Sequence, residues 1–182
     1  TVDGAHLLAE FDNSHGLTLR THTRAMQYDK YYQNVFASGA VNAAGTQVNL
    51  GAYSTATGRR SVFNQSDLVY HSRHGLVRQT LVTGSRQATE NVRLTGYFDN
   101  VTMSRTVPLT STTVVAPVSF RASATDADNE AVVNVAAVFA QEQLHIGSHV
   151  QLVAGARYDR FAARVRDRRT GGVTQRIDHL LS

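Results

Sequence analysis

Apolar and polar residues alternate along much of this chain. Ala5, Leu7, Ala9 and Phe11 fall on one side of an extended backbone, and His6, Glu10 and Asp12 fall on the other, which predicts a strand. Asn13-Ser14-His15-Gly16 supplies turn residues. Leu17, Leu19, Thr21, Thr23 and Ala25 then alternate with Thr18, Arg20, His22, Arg24 and Met26, completing a hairpin with an Arg- and His-rich face. Val48, Leu50 and Ala52 open a longer extended stretch that runs through Tyr70, turns at Ser72-Arg73-His74-Gly75 and returns over Leu76 to Arg93. A third hairpin is predicted from Ala131–Ile146, a turn at 147–149 and Val150–Arg168. In its second strand Leu152, Ala154, Ala156 and Tyr158 oppose Gln151, Gly155, Arg157 and Asp159. The expected fold class is all-β, an antiparallel meander of about six long strands.

Short turns near 13–16, 72–75 and 147–149 alternate with long connections near 30–46 and 94–130, the second carrying both prolines. A compact domain rarely tolerates so long a structureless loop, whereas an outer-membrane barrel has short periplasmic turns and long external loops. Several strands also exceed the five or six residues usual in globular proteins, as tilted membrane strands do. Lipid offers no hydrogen-bond partner, so a membrane sheet must close on itself. Six strands are fewer than the roughly eight of the smallest single-chain barrels, so the chain is expected to be one part of a larger wall.

Composition narrows this picture. With 42% apolar and 18% charged residues the chain is not a disordered tail. Its net charge of +4 rests on arginine, since Lys30 is the only lysine among 18 basic residues. Apart from Arg164, Arg166, Arg168 and Arg169 the arginines are scattered, so no nucleic-acid partner is expected. Without cysteine there is no disulfide and no thiolate metal site. The longest apolar run, Ala131 to Ala140, is too short for a membrane helix and long enough for a membrane strand. The N-terminus lacks a basic segment followed by an apolar one, so the chain is expected to begin inside a longer protein.

Particular strings carry a further signal. Gln151-Leu152-Val153-Ala154-Gly155-Ala156-Arg157-Tyr158-Asp159-Arg160-Phe161 resembles the "aGlRyDrf" strand of TonB-dependent outer-membrane siderophore receptors. Val138-Phe139-Ala140-Gln141-Glu142-Gln143 is similar to that family's "YvQDqi", and Phe63-Asn64-Gln65-Ser66-Asp67-Leu68 to its "fNqtDl". Leu17 to Arg24 resembles "lsLrnqtRy", and Arg176 to Ser182 resembles the approach to "d.lSPR". The five strings follow the family's order along nearly the whole chain. Leu81 to Gln87 departs from the family's "LlaGvE.grq", lacking its acidic residue and spacing, and an odd-numbered deletion there would exchange the faces beyond Gly84.

The resemblance implies a transmembrane β-barrel in the outer membrane of a Gram-negative bacterium, nearest to receptors for ferric catecholate-type siderophores. The parent protein would bind the ferric complex outside the cell and import it to the periplasm with TonB-derived energy. The family's plug domain, through which TonB acts, has no counterpart among these residues. Besides the siderophore and the TonB complex, the expected partner is outer-membrane lipid, and no cofactor is expected. Arg20, Arg24, Asp67, Arg157 and Asp159 are expected to face the lumen. Tyr28, Tyr31, Tyr32, Arg59, Arg60, Arg93, Tyr97 and Arg121 are candidates for holding an anionic siderophore at the external rim, by stacking and charge-assisted bonds. Each is also readable as a solvated rim or girdle residue.

Catalysis and metal binding find less support. His71 with His74 and His145 with His149 bracket turns without a convergent carboxylate, so no metal site is expected. No Gly-x-Ser-x-Gly elbow is present, and the chain is expected not to be an enzyme. Three alternatives stay open: a family barrel for cobalamin or another metal chelate, an outer-membrane barrel hydrolase, and a soluble all-β binding domain.

Overall fold

The computed structural model describes residues 1–72, 75–111, 113, 115–146 and 149–182, with residues 72 and 75–83 described by backbone pairing alone. Among the described residues every regular element is a strand. In chain order these are β1 (Val2–Asp12), β2 (Leu17–Ala37), β3 (Gln47–Ser72), β4 (Gly75–Phe98), β5 (Arg105–Pro108), β6 (Val118–Arg121), β7 (Asp128–Ile146), β8 (Val150–Asp167) and β9 (Val173–Leu181). They form an antiparallel sheet in the order β1-β2-β3-β4-β7-β8-β9, with β5 added to β3 and β6 to β4. The all-β meander is as the sequence predicts, with seven strands along its path where six are expected, because Val173–Leu181 pairs with β8.

The long connections contain more strand than their composition suggests. Residues 30–37 continue β2, which stays paired with β3 as far as Ala37↔Leu50. Between 94 and 130, β4 runs on to Phe98, β7 begins at Asp128, and β5 and β6 lie between them. Polar composition conceals these strands, since a strand wetted on both faces has no reason to alternate.

The first hairpin closes through side-chain chemistry. The Asp12 carboxylate accepts from the Ser14 amide at 2.6 Å, and the Asn13 side-chain oxygen accepts from the amides of His15 and Leu17 at 2.8 and 3.0 Å. Gly16 has φ 91°, and a Cβ there would lie 2.5 Å from the His71 carbonyl oxygen, so only glycine fits. Of the other two expected turns, residues 73, 74, 147 and 148 lie outside the described residues. Their strands meet at Ser72↔Gly75 and Ile146↔Val150.

Beyond Gly84 a bulge sets the register. The pairs Asn64↔Gly84 and Ser66↔Leu81 enclose one more residue on β4 than on β3, and Val82↔Ala137 and Ser85↔Val135 enclose one more on β4 than on β7. Both neighbours therefore pass a single extra residue in β4 and keep their own alternation. The face exchange suggested by the irregular Leu81–Gln87 spacing is absorbed within β4.

Residues directly opposite across a ladder share a face. Following the pairs from β1 to β9 collects Leu7, Phe11, Leu19, Leu68, Val138, Ala156, Tyr158 and Ile177 on one face, here the apolar face. Glu10, Arg20, Arg24, Asp67, Arg157 and Asp159 lie on the other, the charged face. The wall is one layer thick, so Leu7, Phe11, Leu152 and Leu181 stay 63%, 60%, 52% and 75% exposed.

Burial is concentrated instead at the end far from the short turns, where Ala52, Ser54, Tyr97 and Phe98 of the long strands, Val107 of β5 and Asp126 of the loop after β6 are buried. A Cβ at Gly96 would lie 2.5 Å from Ala52 Cβ and 3.0 Å from the Ala52 carbonyl. Gly96→Ala is expected to cost this end about 1–3 kcal/mol, seen as faster proteolysis of residues 99–127 in the folded protein.

Candidate functional site

The strands that continue past the wall carry a cluster of cations and aromatic rings. Tyr53 of β3 is at its centre. Arg93 of β4 stacks over the Tyr53 ring at 4.2 Å, and the rings of Tyr32 and Phe36 of β2 meet it edge-on at 5.8 and 5.7 Å. Lys30 lies 4.9 Å from the Tyr32 ring centroid. Hydrogen bonding by the side chains of Thr55 and then Tyr53 outweighs desolvation and holds the Tyr32 phenol below its ordinary pKa, with Lys30 and Arg93 adding to the effect. Beside this cluster Arg121 of β6 stacks over Tyr97 of β4 at 3.8 Å.

The register explains why these side chains meet. Tyr32 is opposite Thr55, Thr55 is opposite Arg93, and Arg121 is opposite Thr95, so one face collects residues from four strands. The segment after β6 is held to the same place by Asp126. Its carboxylate accepts from Thr95 Oγ1 at 2.8 Å, the Thr95 amide at 2.8 Å and the Ser123 amide at 2.7 Å. Burial pushes the Asp126 carboxyl up, but these hydrogen bonds together outweigh it and leave the pKa below the usual range.

Six of the eight candidate rim residues lie on the charged face. Tyr28 stands opposite Arg59, Tyr32 and Arg93 share the Tyr53 cluster, and Tyr97 and Arg121 adjoin it. Tyr31, opposite Ala56, and Arg60, opposite Gln27, are on the apolar face and cannot reach that cluster. Sequence reasoning missed Phe36, Tyr53 and Asp126. The signal for Tyr53 is the β2–β3 register, which carries on unbroken from Leu17↔Tyr70 and puts Tyr53 opposite Asn34.

The five polar wall residues all lie on the charged face. Arg20 binds Glu10 at 2.7 Å and is opposite Asp67, and Arg157 makes two 2.7 Å bonds to Asp159. Of the two histidine pairs, His74 lies outside the described residues, and His145 and His149 flank the third turn. Among the described residues no group of three His, Asp or Glu side chains is arranged to hold a metal ion.

The family model described as "TonB dependent receptor-like, beta-barrel" matches residues 3–180. A search of curated proteins finds no match. That family match covers all seven strands of the meander, whose single layer, apolar on one face and charged on the other, is what a transmembrane wall requires. The chain therefore belongs to the TonB-dependent receptor β-barrel family and forms part of a receptor barrel in the outer membrane of Gram-negative bacteria.

Proposed function

We propose that the parent receptor binds a ferric siderophore of the catecholate type and imports it to the periplasm when the TonB complex acts through a plug domain. In this reading the short turns face the periplasm, the charged face lines the lumen and the apolar face meets lipid. The observation that carries it is the cluster of Arg93, Lys30, Tyr32, Phe36 and Tyr53 on the charged face beyond the wall. A ferric tris-catecholate is anionic and presents aromatic rings, so it pairs with guanidinium and ammonium groups and stacks on aromatic faces.

The residues have parts to play without covalent chemistry. Arg93 and Arg121, each spread over a tyrosine ring, present flat cations to the ligand's oxygens, Arg121 with one amino group already donating to the Asn100 carbonyl oxygen at 3.4 Å. Glu10–Arg20 and Arg157–Asp159, lower on the same face, are matched pairs suited to contacting the plug. No step requires a nucleophile, which separates this reading from a barrel hydrolase.

In the full-length receptor, Arg93→Ala is expected to weaken binding of a ferric catecholate complex about tenfold, and Arg93→Ala with Tyr53→Ala more than either change alone. Fluorescence quenching titration and radiolabelled iron uptake read this. Unchanged affinity in a folded double variant rejects the cluster as the site. Tight binding of cobalamin with no response to ferric catecholates assigns the barrel to that other cargo.

A further inference from the structure

We propose that Tyr32 binds the iron of the cargo directly, its phenolate oxygen filling an open coordination position on a ferric complex that carries only two catecholates. This rests on the ferric catecholate cargo proposed above and adds to it a bond from the protein to the metal.

The register builds the surroundings of the Tyr32 oxygen. Tyr32 of β2 is opposite Thr55 of β3, and Thr55 is opposite Arg93 of β4, so three neighbouring strands meet on the charged face. Tyr53, two positions along β3, shares that face and meets the Tyr32 ring edge-on at 5.8 Å. The hydroxyls of Thr55 and Tyr53 both act as donors to the Tyr32 oxygen. Thr55 is buried, only 9% exposed, so the packed strands hold its hydroxyl in place.

Donors aimed at a phenol oxygen favour its charged form. Lys30, 4.9 Å from the Tyr32 ring centroid, and Arg93, stacked 4.2 Å over Tyr53, add positive charge on the same face. The lowered pKa of Tyr32 agrees with this arrangement. Tyr32 is nevertheless 38% exposed, so a ligand has access to it. Tyr31, its neighbour on the apolar face, is set differently, since its hydroxyl donates to Gln33 Oε1 at 3.4 Å.

Ferric iron is a hard cation that takes anionic oxygen ligands, and a phenol must lose its proton to become one. Three catecholates fill every coordination position of the iron. Two catecholates leave the complex still anionic, with water in the open positions. Lys30 and Arg93 attract both anionic complexes and repel the bare ferric ion, so the iron arrives already chelated. On bonding, the Tyr32 O–H bond breaks and its proton passes to solvent. One water leaves the iron, and the bond from the Tyr32 oxygen to the iron forms without a change of oxidation state.

The test titrates the full-length receptor with the ferric complex of a linear ligand bearing two catechols, and with that of a ligand bearing three. Fluorescence quenching reads affinity, and resonance Raman spectra read the groups bound to iron. The two-catechol complex is expected to gain tyrosinate bands in the receptor. Tyr32→Phe is expected to lose those bands and to bind this complex about tenfold more weakly. The three-catechol complex is expected to bind without tyrosinate bands and to lose less than about twofold in the same variant. Tyr53→Phe is expected to keep the bands, and deuterium-labelled tyrosine to shift them in the wild type, which together assign the ligand even where Tyr32→Phe fails to fold. A two-catechol complex that binds the wild type without tyrosinate bands overturns the proposal and leaves the cargo reading standing. Bands that persist in folded Tyr32→Phe do the same. Failure of both complexes to bind overturns the cargo reading, and this site with it.

Discussion

Arginine in place of Leu68 is expected to destabilise the receptor in a bilayer by about 2–4 kcal/mol, the cost of a charge near the middle of a barrel's lipid face. Leu68 lies four positions from the end of β3 and opposite Leu19 on the apolar face. That places it well inside the roughly ten residues a tilted strand needs to cross. Gln65→Arg, three positions away on the charged face, is the matched control and is expected to change stability by less than about 1 kcal/mol. Reversible unfolding in denaturant from lipid vesicles measures both. Equal tolerance of the two substitutions removes the assignment of faces, and reversed tolerance exchanges lipid and lumen.

Asp126→Ala is expected to loosen the cap formed by β5, β6 and their loops more than any other truncation there. The substitution leaves the half-buried amides of Thr95 and Ser123 without this acceptor, at about 1–3 kcal/mol for each amide not rescued by water, while the Thr95 hydroxyl keeps Ser123 Oγ at 3.0 Å. Faster hydrogen exchange at Thr95 and Ser123 and reduced ligand affinity are expected, because Arg121 and Tyr97 are held by the same segment. The effect of pH has a definite sign. The folded pKa lies below the unfolded value of about 3.9, so the stabilisation is complete above that value and is lost as pH falls through the lower folded pKa. Asp126→Asn keeps an acceptor and removes the charge, and is expected to abolish that acid dependence while restoring part of the protection.

Much of the wall is legible in the sequence because alternation is a local consequence of the pleat. Ala5 to Phe11 and Leu152 to Tyr158 assign themselves to one face without any knowledge of their neighbours. The polar ladder on that same face reads less easily. Thr21, Thr23, Asn64 and Ser66 look out of place on an apolar surface, but Asn64 donates to Thr23 at 2.8 Å and Thr21 bonds Ser66 at 3.0 Å, so these groups satisfy one another across β2 and β3. The candidate site was visible only in part. Tyr32 and Arg93 stand out as rim residues, whereas Tyr53 and Asp126 matter only through partners 21 and 31 residues distant.

From the sequence alone came the all-β class, the hairpins, the five polar residues that share a face and the family resemblance. All of these depend on residue type and near-neighbour spacing. Tertiary structure decided the bulge that absorbs one residue before Gly84, the strand hidden in residues 30–37 and 94–130, and the separation of Tyr31 and Arg60 from the other rim candidates. Register between strands is a long-range choice made by hydrogen bonds and packing along a whole ladder, and a one-residue slip moves every side chain of a strand to the other face.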